Sequence, residues 1–464
     1  MEAPFIGRES EMSELEALYN APGPKTYAVY GRRRVGKSRL LREFCSGKRS
    51  LIFQFIDRSL EENLEYAGVA VSDFIGKDVE FKSMTKFLKH LKQICEEERT
   101  IVVMDEFPYL VGSDTTLSTS IQRFIDQDLI GTDSMLIVCG SSISMMRDLL
   151  ESEKQPLYSR FPDKKKLKPL NLRQCAQFHP RMGDVDILKT YLTVGGMPMY
   201  HLQMSEDTYE ASVKKAFLVE QAPLTSEFEA AIEFELSPKH VYSRMLQAMS
   251  KGASTQSEVA RDANISPSLC SRYMENLEKI GFISKGTPVL NMKESRFYRI
   301  SDPLLLFGYQ VVRRVNLSGY EDVDRLYRRC APRISTYMGK AFEDVVTEYI
   351  GMTYHPSRIG KWIGRVDGTM TDIDVVAEID TGEGYDLTLL CECKFRTSEA
   401  DMRDMEDLEH RADEAGCRLN RRFAIASVGG FTRELEEYAE DNGVMLIGLD
   451  EIMGRKEPAP LVQR

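Results

Sequence analysis

Residues 31–38 read Gly-Arg-Arg-Arg-Val-Gly-Lys-Ser, and this stretch decides the fold of the first part of the chain. An apolar run, residues 27–30, comes directly before it, and a helical pattern carried by Leu40, Leu41 and Phe44 follows. A strand, a glycine-containing loop and a helix in this order are the context that a phosphate-binding loop requires. The spacing therefore predicts a P-loop nucleotide site in a parallel α/β sheet.

The residue types of this loop suit triphosphate chemistry. Gly31 and Gly36 let the backbone curl so that its N–H groups point at phosphate oxygens. Lys37 is expected to reach the β- and γ-phosphates, and the Ser38 hydroxyl is expected to bind Mg²⁺. We therefore expect ATP and Mg²⁺ as cofactors. The same stretch supplies further predicted cofactor-binding positions, which are Arg34, Val35 and Arg39.

Two later apolar runs end in polar side chains. Residues 101–104 lead into Asp105 and Glu106, and residues 135–140 lead into Ser141. Strands buried on both faces read as continuous apolar runs, and ligands bind at their carboxyl ends. We expect Asp105 to hold Mg²⁺, Glu106 to orient the attacking water and Ser141 to sense the γ-phosphate or that water. The alternatives are a solvated acidic turn and a plain turn serine.

Composition indicates a large globular chain that acts inside the cell. Its 464 residues suggest two to four domains, and 42% are hydrophobic. No apolar stretch is long enough for a membrane span, and the first residues lack the character of a signal peptide. The nine cysteines have no metal-site spacing, so we expect reduced thiols and a cytoplasmic location. With a net charge of −11, any nucleic-acid site must be a local patch.

Six segments in a fixed order resemble a known group of proteins. They read FIGRE (5–9), GRRRVGKS (31–38), VVMDEF (102–107), CGSS (139–142), PLYSRF (156–161) and YLTVGGMP (191–198). This set is similar to the archaeal-type ATPases, a branch of the AAA+/STAND nucleotidases, and it covers roughly the first half of the chain.

This resemblance implies roles that the spacing alone does not give. It implies an adenine pocket near Gly7 and Arg8, and it makes Ser141 the sensor residue. It also implies that Arg160 is an arginine finger acting on a neighbouring subunit, and hence a homo-oligomer. The alternative is that Arg160 pairs with an acidic surface residue. Residues 195–198 are expected in a helical lid over the nucleotide.

Pattern shifts divide the chain into four predicted parts, giving an α/β multidomain protein. The P-loop ATPase core is expected at 1–161, a helical lid at 162–236, a winged helix-turn-helix at 237–310, and a linker helix with an α/β restriction-endonuclease-like domain at 311–464. The charged run 163–166 is interpreted as the lead into the lid, and residues 237–238 as the start of the third part.

The winged helix is predicted from three helical patterns followed by apolar segments at 282–283, 289–290 and 297–300, with a polar tip between the last two. The third helix begins at residue 267, and its polar face can lie in a DNA major groove. Its predicted DNA-binding residues are Ser268, Ser271, Arg272 and Lys279. Residues 241–300 hold nine Lys and Arg against five Asp and Glu. The alternative is a winged helix that docks protein.

The last part of the chain carries a second constellation of charged residues. Asp372 and Asp374 share one face of a predicted strand, and Glu392 and Lys394 share one face of the next. An acid beside Glu-x-Lys outlines a divalent-metal site, with Asp374 and Glu392 as Mg²⁺ ligands. Lys394 would stabilise charge on a scissile phosphate. The alternative is a pair of solvated strand faces, although charge is unusual in so apolar a strand.

This arrangement resembles the PD-(D/E)xK nucleases. The resemblance implies Glu343 as a third carboxylate, a site made of Glu343, Asp374, Glu392 and Lys394, and Mg²⁺ or Mn²⁺ as its metal. The usual Pro-Asp dipeptide is absent, and residues 371–374 stand in its place. Residues 337–464 hold 15 Lys and Arg against 27 Asp and Glu, so this part alone is expected to grip DNA poorly.

Together, these patterns predict an ATP-hydrolysing switch coupled to DNA contact and to Mg²⁺-dependent cleavage of nucleic acid. The alternative is a nucleotide-gated scaffold that binds protein or DNA without cutting. Cleavage of plasmid or single-stranded DNA with Mg²⁺ or Mn²⁺ separates the two hypotheses.

Overall fold

The computed structural model describes residues 4–112, 114–286, 288–290, 297–315, 322–382 and 385–461. The chain forms two compact units, which are described one at a time. The first comprises Met1–Leu170 with Met197–Met199, and the second comprises Asn171–Gly196 with Tyr200–Arg464. None of the helices in the described ranges is long and apolar enough to cross a membrane.

The first unit is built on a parallel five-stranded sheet. Its strands are β1 (Lys25–Tyr30), β2 (Ser50–Gln54), β3 (Ile101–Asp105), β4 (Met135–Gly140) and β5 (Asp163–Lys166). They lie in the order β2-β3-β4-β1-β5, and each paired neighbour is parallel. Every residue of β3 and β4 is buried, as their apolar runs predict.

Helices accompany this sheet, and their caps explain several of their starts. The helices are α1 (Glu9–Asn20), α2 (Lys37–Cys45), α3 (Leu60–Ile75), α4 (Met84–Glu97), α5 (Phe107–Val111), α6 (Thr115–Arg123) and α7 (Ile143–Glu151). Ser59, for example, accepts from the Glu62 backbone N–H while the Glu62 side chain accepts from the Ser59 N–H, which closes a capping box at α3.

Strand β5 lies in a stretch that the sequence assigned to the lid. The predicted core ended at residue 161, but residues 163–166 pair with residues 27–30 of β1. Leu167 then donates its N–H to the Tyr30 carbonyl oxygen over 2.8 Å. The sheet of the first unit therefore runs beyond the predicted boundary, because a charged run can form an edge strand that is covered on one side only.

A helical stretch follows the first sheet along the chain. Its helices are α8 (Leu172–Ala176), α9 (Asp184–Val194), α10 (Pro198–Gln203), α11 (Tyr209–Val213) and α12 (Glu227–Glu235). Within the second unit, the Thr193 and Tyr209 hydroxyls lie 2.9 Å apart in the buried interior. This stretch has the helical character that the sequence predicts for residues 170–236.

The winged helix has its expected helices and a two-stranded wing. The elements are α13 (Lys239–Ser250), α14 (Gln256–Asp262), α15 (Pro267–Lys279), β6 (Ile283–Gly286), β7 (Phe297–Ile300) and α16 (Pro303–Gln310). Thr255 and Glu258 form a capping box at α14, and Ser266 caps α15 directly before Pro267. Strands β6 and β7 are antiparallel. The predicted polar tip, 291–296, lies outside the described residues.

The last part of the chain is a mixed sheet behind a long helix. Its elements are α17 (Val323–Tyr354), β8 (Arg358–Val366), β9 (Thr369–Asp380), β10 (Asp386–Lys394), α18 (Met402–Glu414), β11 (Arg421–Ser427), α19 (Arg433–Asn442), β12 (Met445–Ile447) and α20 (Leu449–Ile452). The sheet order is β12-β11-β10-β9-β8. Strand β9 pairs antiparallel with both β8 and β10, whereas the β10–β11 and β11–β12 pairs are parallel.

Candidate functional site

The predicted phosphate loop joins β1 to α2, and two of its glycines are required by the backbone. Gly36 has a φ of 99° and stands directly before α2. A Cβ on Gly31 would lie 2.7 Å from the Leu167 carbonyl oxygen. The Lys37 ammonium donates to the Gly31 and Arg32 carbonyl oxygens over 2.8 and 3.1 Å. Lys37 is thus folded over the loop, where a phosphate would meet it.

Ser38 and Asp105 meet at the end of β3. The Ser38 hydroxyl donates to Asp105 Oδ2 over 2.6 Å, and Asp105 Oδ1 accepts from the Glu106 backbone N–H over 3.0 Å. A hydroxyl and a carboxylate in contact beside a phosphate loop are the oxygen donors that Mg²⁺ takes in nucleotide sites. The residues present therefore fit Mg²⁺.

The predicted water-orienting residue and the predicted sensor lie together. Glu106 has a φ of 52°, an uncommon conformation for a residue with a side chain. Its Oε2 accepts hydrogen bonds from both the backbone N–H and the hydroxyl of Ser141, over 3.1 and 2.9 Å. Two hydrogen bonds from the residue that follows β4 thereby hold one carboxylate oxygen of the residue that follows β3.

Arg8 supports the loop from its buried side. Its guanidinium donates to the Val35 and Lys168 carbonyl oxygens over 2.8 and 2.9 Å, and Gly7 precedes it with a φ of 68°. Arg8, which was predicted to lie near the adenine, therefore holds the backbone of the loop. Pro198 of the predicted lid turn also lies in this unit, with its Cγ 3.8 Å from where a Cβ on Gly36 would be.

The remaining predicted residues of the first unit take part in local ion pairs or backbone turns. Arg34 has a φ of 66°. Arg39 pairs with Glu43 one helical turn along α2. Arg160 pairs with Asp126 through two nitrogens, with Nε 3.0 Å from Oδ1 and Nη2 3.0 Å from Oδ2. Arg160 was predicted to be an arginine finger, and the alternative was that it pairs with an acidic surface residue. Within one chain, Asp126 is such a partner.

The polar face of α15 is only partly available for DNA. Three of its four predicted DNA-binding residues are exposed and one is half-buried: Ser268, Arg272 and Lys279 are exposed, and Ser271 is half-buried. Glu275 is exposed between the two cations. After β6 the chain turns to the C-terminal sheet, where the Val289 N–H donates to the Lys361 carbonyl oxygen over 2.8 Å. The predicted strand at 289–290 is instead part of that sheet's core.

The four predicted nuclease-like residues come from α17, β9 and β10. The Glu343 carboxylate is paired with the Lys361 ammonium, which also lies 3.3 Å from Asp372 Oδ2. Asp374 Oδ2 accepts from the Cys393 backbone N–H over 2.9 Å. Lys361 was not predicted, because nothing in the spacing of β8 marks it as a neighbour of these acids.

The Glu-x-Lys strand is engaged by α18. The Lys394 ammonium lies 2.9 Å from Glu392 Oε1 and 3.1 Å from Asp404 Oδ1. Arg411 Nη2 lies 2.8 Å from Glu392 Oε2, in an ion pair that lacks hydrogen-bond geometry. Asp404 also pairs with Arg396. Asp404 and Arg411 were missed by the sequence analysis, because they belong to an amphipathic helix whose facing strand only the fold reveals.

The charged groups of this cluster shift one another's pKa values. Burial, with the negative charges of Glu392 and then Glu343, raises the pKa of Asp374 to about 7. Burial also raises the pKa of Glu343, although Lys361 opposes the change. Burial alone would lower the pKa of Lys394, but the Glu392 and Asp404 carboxylates together raise it.

The donor type of this cluster fits Mg²⁺, but the arrangement does not. Among the residues that the structure describes, no group of three or more His, Cys, Asp or Glu side chains is placed to hold a metal ion. Glu343 and Glu392 are each neutralised by cations of the chain, as described above. We therefore derive no catalytic step through a metal at this site.

Strand β1, the loop before α2 and the polar ends of β3 and β4 together define a P-loop ATPase core. Residues 5–203 match the family described as an ATPase domain predominantly from Archaea. Residues 244–284 match a winged helix-turn-helix DNA-binding family, and residues 309–405 match a family of archaeal and bacterial proteins of unknown function. Residues 5–203 thus match the archaeal-type ATPase domain that the six segments predicted, and a winged helix follows it along the chain.

Relatives extend this likeness beyond the ATPase domain. An uncharacterized protein of Methanocaldococcus jannaschii is 25% identical over 384 residues, covering 80% of this chain and 84% of that protein. A second uncharacterized protein of the same organism is 30% identical over 88 residues, covering 18% of this chain and 84% of that protein. The Walker-type ATPase structure from Pyrococcus abyssi superimposes with a TM-score of 0.52 at 21% identity, covering 66% of this chain and 96% of that one. That likeness shows the fold.

Proposed function

We propose that this ATPase is a switch in which ATP binding and hydrolysis set the assembly of the chain, the winged helix contacts DNA, and the C-terminal cluster cleaves nucleic acid. One observation carries the ATPase part of the proposal. Lys37, the Ser38–Asp105 pair and the Glu106–Ser141 pair stand at the carboxyl ends of neighbouring strands of one sheet.

Each of these residues has a separate task in hydrolysis. Lys37 exchanges its two loop carbonyl oxygens for phosphate oxygens, whose charge matches the ammonium. Ser38 and Asp105 would hold Mg²⁺, which supplies positive charge to the transferred phosphoryl group. Glu106 orients the attacking water, and Ser141 fixes the carboxylate that does so.

Arg160 belongs to the assembly part of the proposal. In a homo-oligomer, its guanidinium would leave Asp126 and reach the nucleotide of a neighbouring chain, where it neutralises charge in the transition state. The Asp126 side chain of this ion pair is more than a third exposed, so solvent screens the attraction between the two charges. Little free energy is therefore lost when Arg160 exchanges Asp126 for a more strongly bound partner.

Cleavage of nucleic acid is proposed for the C-terminal cluster with Mg²⁺ or Mn²⁺. The supporting observation is that Asp374 lies in the field of two other carboxylates, Glu343 and Glu392, whose combined negative charge would attract a cation. Binding of a metal requires that the carboxylates exchange their resident partners, Lys361 and Arg411.

The test uses purified full-length protein with ATP, Mn²⁺ and plasmid or single-stranded DNA. Cleavage is expected in the wild type and lost in Asp374→Ala and, separately, in Lys394→Ala, while ATP hydrolysis continues. Calorimetry should show weaker Mn²⁺ binding in Asp374→Ala and retained binding in Lys394→Ala. If the wild type cuts none of these substrates and binds no Mn²⁺, the C-terminal domain is a scaffold that acts through its shape.

A further inference from the structure

Helix α17 carries a concentration of positive charge that none of the sites above uses. Residues 325–342 contain five cations and no Asp or Glu, in a chain whose net charge is −11. All five cations are exposed, and they are Arg325, Arg328, Arg329, Arg333 and Lys340. We call this set the α17 cationic face.

The five side chains share one side of the helix. Counted from Arg325, they stand at positions i+3, i+4, i+8 and i+15, which fall within one arc at 3.6 residues per turn. The opposite side packs into the second unit through buried apolar residues, which include Leu326, Cys330, Ile334 and Met338. Tyr337 anchors that side by donating to the Leu192 carbonyl oxygen over 2.5 Å. The cationic face is therefore held outward by a fixed helix.

This face is more uniformly positive than the predicted DNA-reading helix. On α15, the exposed cations Arg272 and Lys279 have the exposed Glu275 between them. On α17, the exposed positions between the cations are occupied by Pro332, Ser335 and Thr336, which carry no charge. Phosphate contacts supply the sequence-independent part of nucleic-acid affinity, so the uniform face suits this role better.

Its dimensions match a phosphate backbone. Arg325 and Arg333 are eight residues apart, or roughly 12 Å along the helix, a distance over which one DNA strand presents about three to four phosphates. Four arginines occupy this span. The same helix continues to Lys340 and, one turn later, to Glu343 of the carboxylate cluster. A strand held by the arginines would thus be led along one rigid element toward that cluster.

The surroundings favour nucleic acid over a lipid surface. Helices that lie on membranes present Trp, Phe or Leu beside their basic side chains. Between 325 and 340 the large apolar side chains of α17 face the protein interior, and the exposed positions are charged, hydroxylic or proline. A winged helix of a DNA-binding family also belongs to the same unit.

We propose that the α17 cationic face binds the phosphate backbone of nucleic acid and supplies the grip that the acidic C-terminal domain lacks. This inference rests on the proposed contact with DNA, and it assigns most of the salt-sensitive affinity to α17 rather than to α15.

The test measures binding of full-length protein to a fluorescein-labelled random-sequence duplex by anisotropy, over salt from about 50 to 200 mM. The triple variant Arg325→Ala, Arg329→Ala, Arg333→Ala is expected to flatten the plot of log affinity against log salt by up to about 2.7, since each lost contact removes about 0.9. At about 0.1 M salt, this corresponds to a loss of affinity of up to roughly eightfold for each lost contact.

Matched variants make the outcome specific. Replacing the same three arginines with lysine keeps the charge, so the slope of log affinity against log salt should equal that of the wild type. Removing three exposed cations of the first unit instead, through Lys82→Ala, Lys86→Ala and Lys89→Ala, should leave the slope unchanged. The emission of Trp362, which is buried in the core of the C-terminal sheet, reports whether each variant is folded.

Two results would overturn the inference. In the first, the triple alanine variant keeps the wild-type salt slope, whereas the double variant Arg272→Ala, Lys279→Ala no longer binds DNA. That result would assign the phosphate contacts to α15. The second is unchanged DNA binding with loss of binding to vesicles of phosphatidylserine and phosphatidylcholine, which would make the face a membrane contact. Absence of DNA binding in the wild type would refute the proposed function itself, and the inference with it.

Discussion

Replacing Asp374 with asparagine should stabilise the C-terminal domain, and the gain should depend on pH. Asparagine keeps an acceptor for the Cys393 N–H, which lies 2.9 Å from Asp374 Oδ2, but it removes a charge from the field of Glu343 and Glu392. The folded-state pKa of Asp374 is about 7, whereas an unfolded aspartate titrates near 3.9. Ionised Asp374 therefore opposes folding.

The size of the effect follows from the two pKa values. An acid whose pKa is raised on folding contributes no penalty below its unfolded pKa, and its penalty grows as pH rises to the folded pKa. With pKa values of about 3.9 and 7, the penalty is about 2 kcal/mol near pH 5.5 and at most about 4 kcal/mol near pH 8.5. Asp374→Asn should recover these amounts.

Urea unfolding followed by the fluorescence of Trp362 measures this difference directly. Trp362 is the single tryptophan of the chain and is 4% exposed within the core of the C-terminal sheet. Asp386→Asn, at an exposed position on the neighbouring strand, is the matched control and should change little at either pH. The reasoning is refuted if Asp374→Asn is no more stable than the wild type near pH 8.5, or if its advantage does not shrink near pH 5.5.

Other substitutions test the remaining roles. Lys37→Ala should remove most ATP binding measured by calorimetry, and normal hydrolysis in it would contradict the phosphate-loop assignment. Glu106→Gln should retain ATP and slow phosphate release, whereas a wild-type rate would exclude Glu106 as the residue that orients water. Arg160→Ala should spare ATP binding and lower turnover by roughly 10³-fold or more, with partial recovery on mixing with Lys37→Ala; an unchanged rate would make its pair with Asp126 purely structural. Lys361→Met should tighten Mn²⁺ binding by roughly tenfold or more, because it removes a cation that competes with the metal for Glu343. A charge pair at about 4 Å is worth on the order of 4 kcal/mol at an intermediate effective dielectric constant. Equal Mn²⁺ affinity in the variant would show that this lysine does not compete with metal.

Local patterns predicted the parts of the fold that local chemistry determines. The phosphate loop was predicted because its glycines, lysine and serine act within one turn of chain. Strands β3 and β4 were predicted because burial on both faces demands continuous apolar runs. The start of α15 at residue 267 was predicted correctly, and proline is favoured at the first position of a helix.

Features set by long-range packing were not predictable in the same way. Lys361 reaches Glu343 because β8 folds beside α17, and Arg411 reaches Glu392 because α18 covers β10. Neither contact leaves a spacing in the sequence. Residues 289–290 were assigned to the wing by hydrophobicity alone, but an apolar pair serves equally well in the core of another sheet, which is where Val289 packs.

The sequence of β5 bears on how the protein behaves in a crowded solution. This strand is the edge of the first sheet, and an unpaired edge offers its N–H and C=O groups to strands of other molecules. Its residues read Asp-Lys-Lys-Lys, with Lys164 and Lys166 exposed. A second strand that paired with this edge would have to desolvate the lysines and bring like charges close together, and both effects are unfavourable. The run that looks like a mere connection between domains therefore guards the ATPase core against edge-to-edge aggregation.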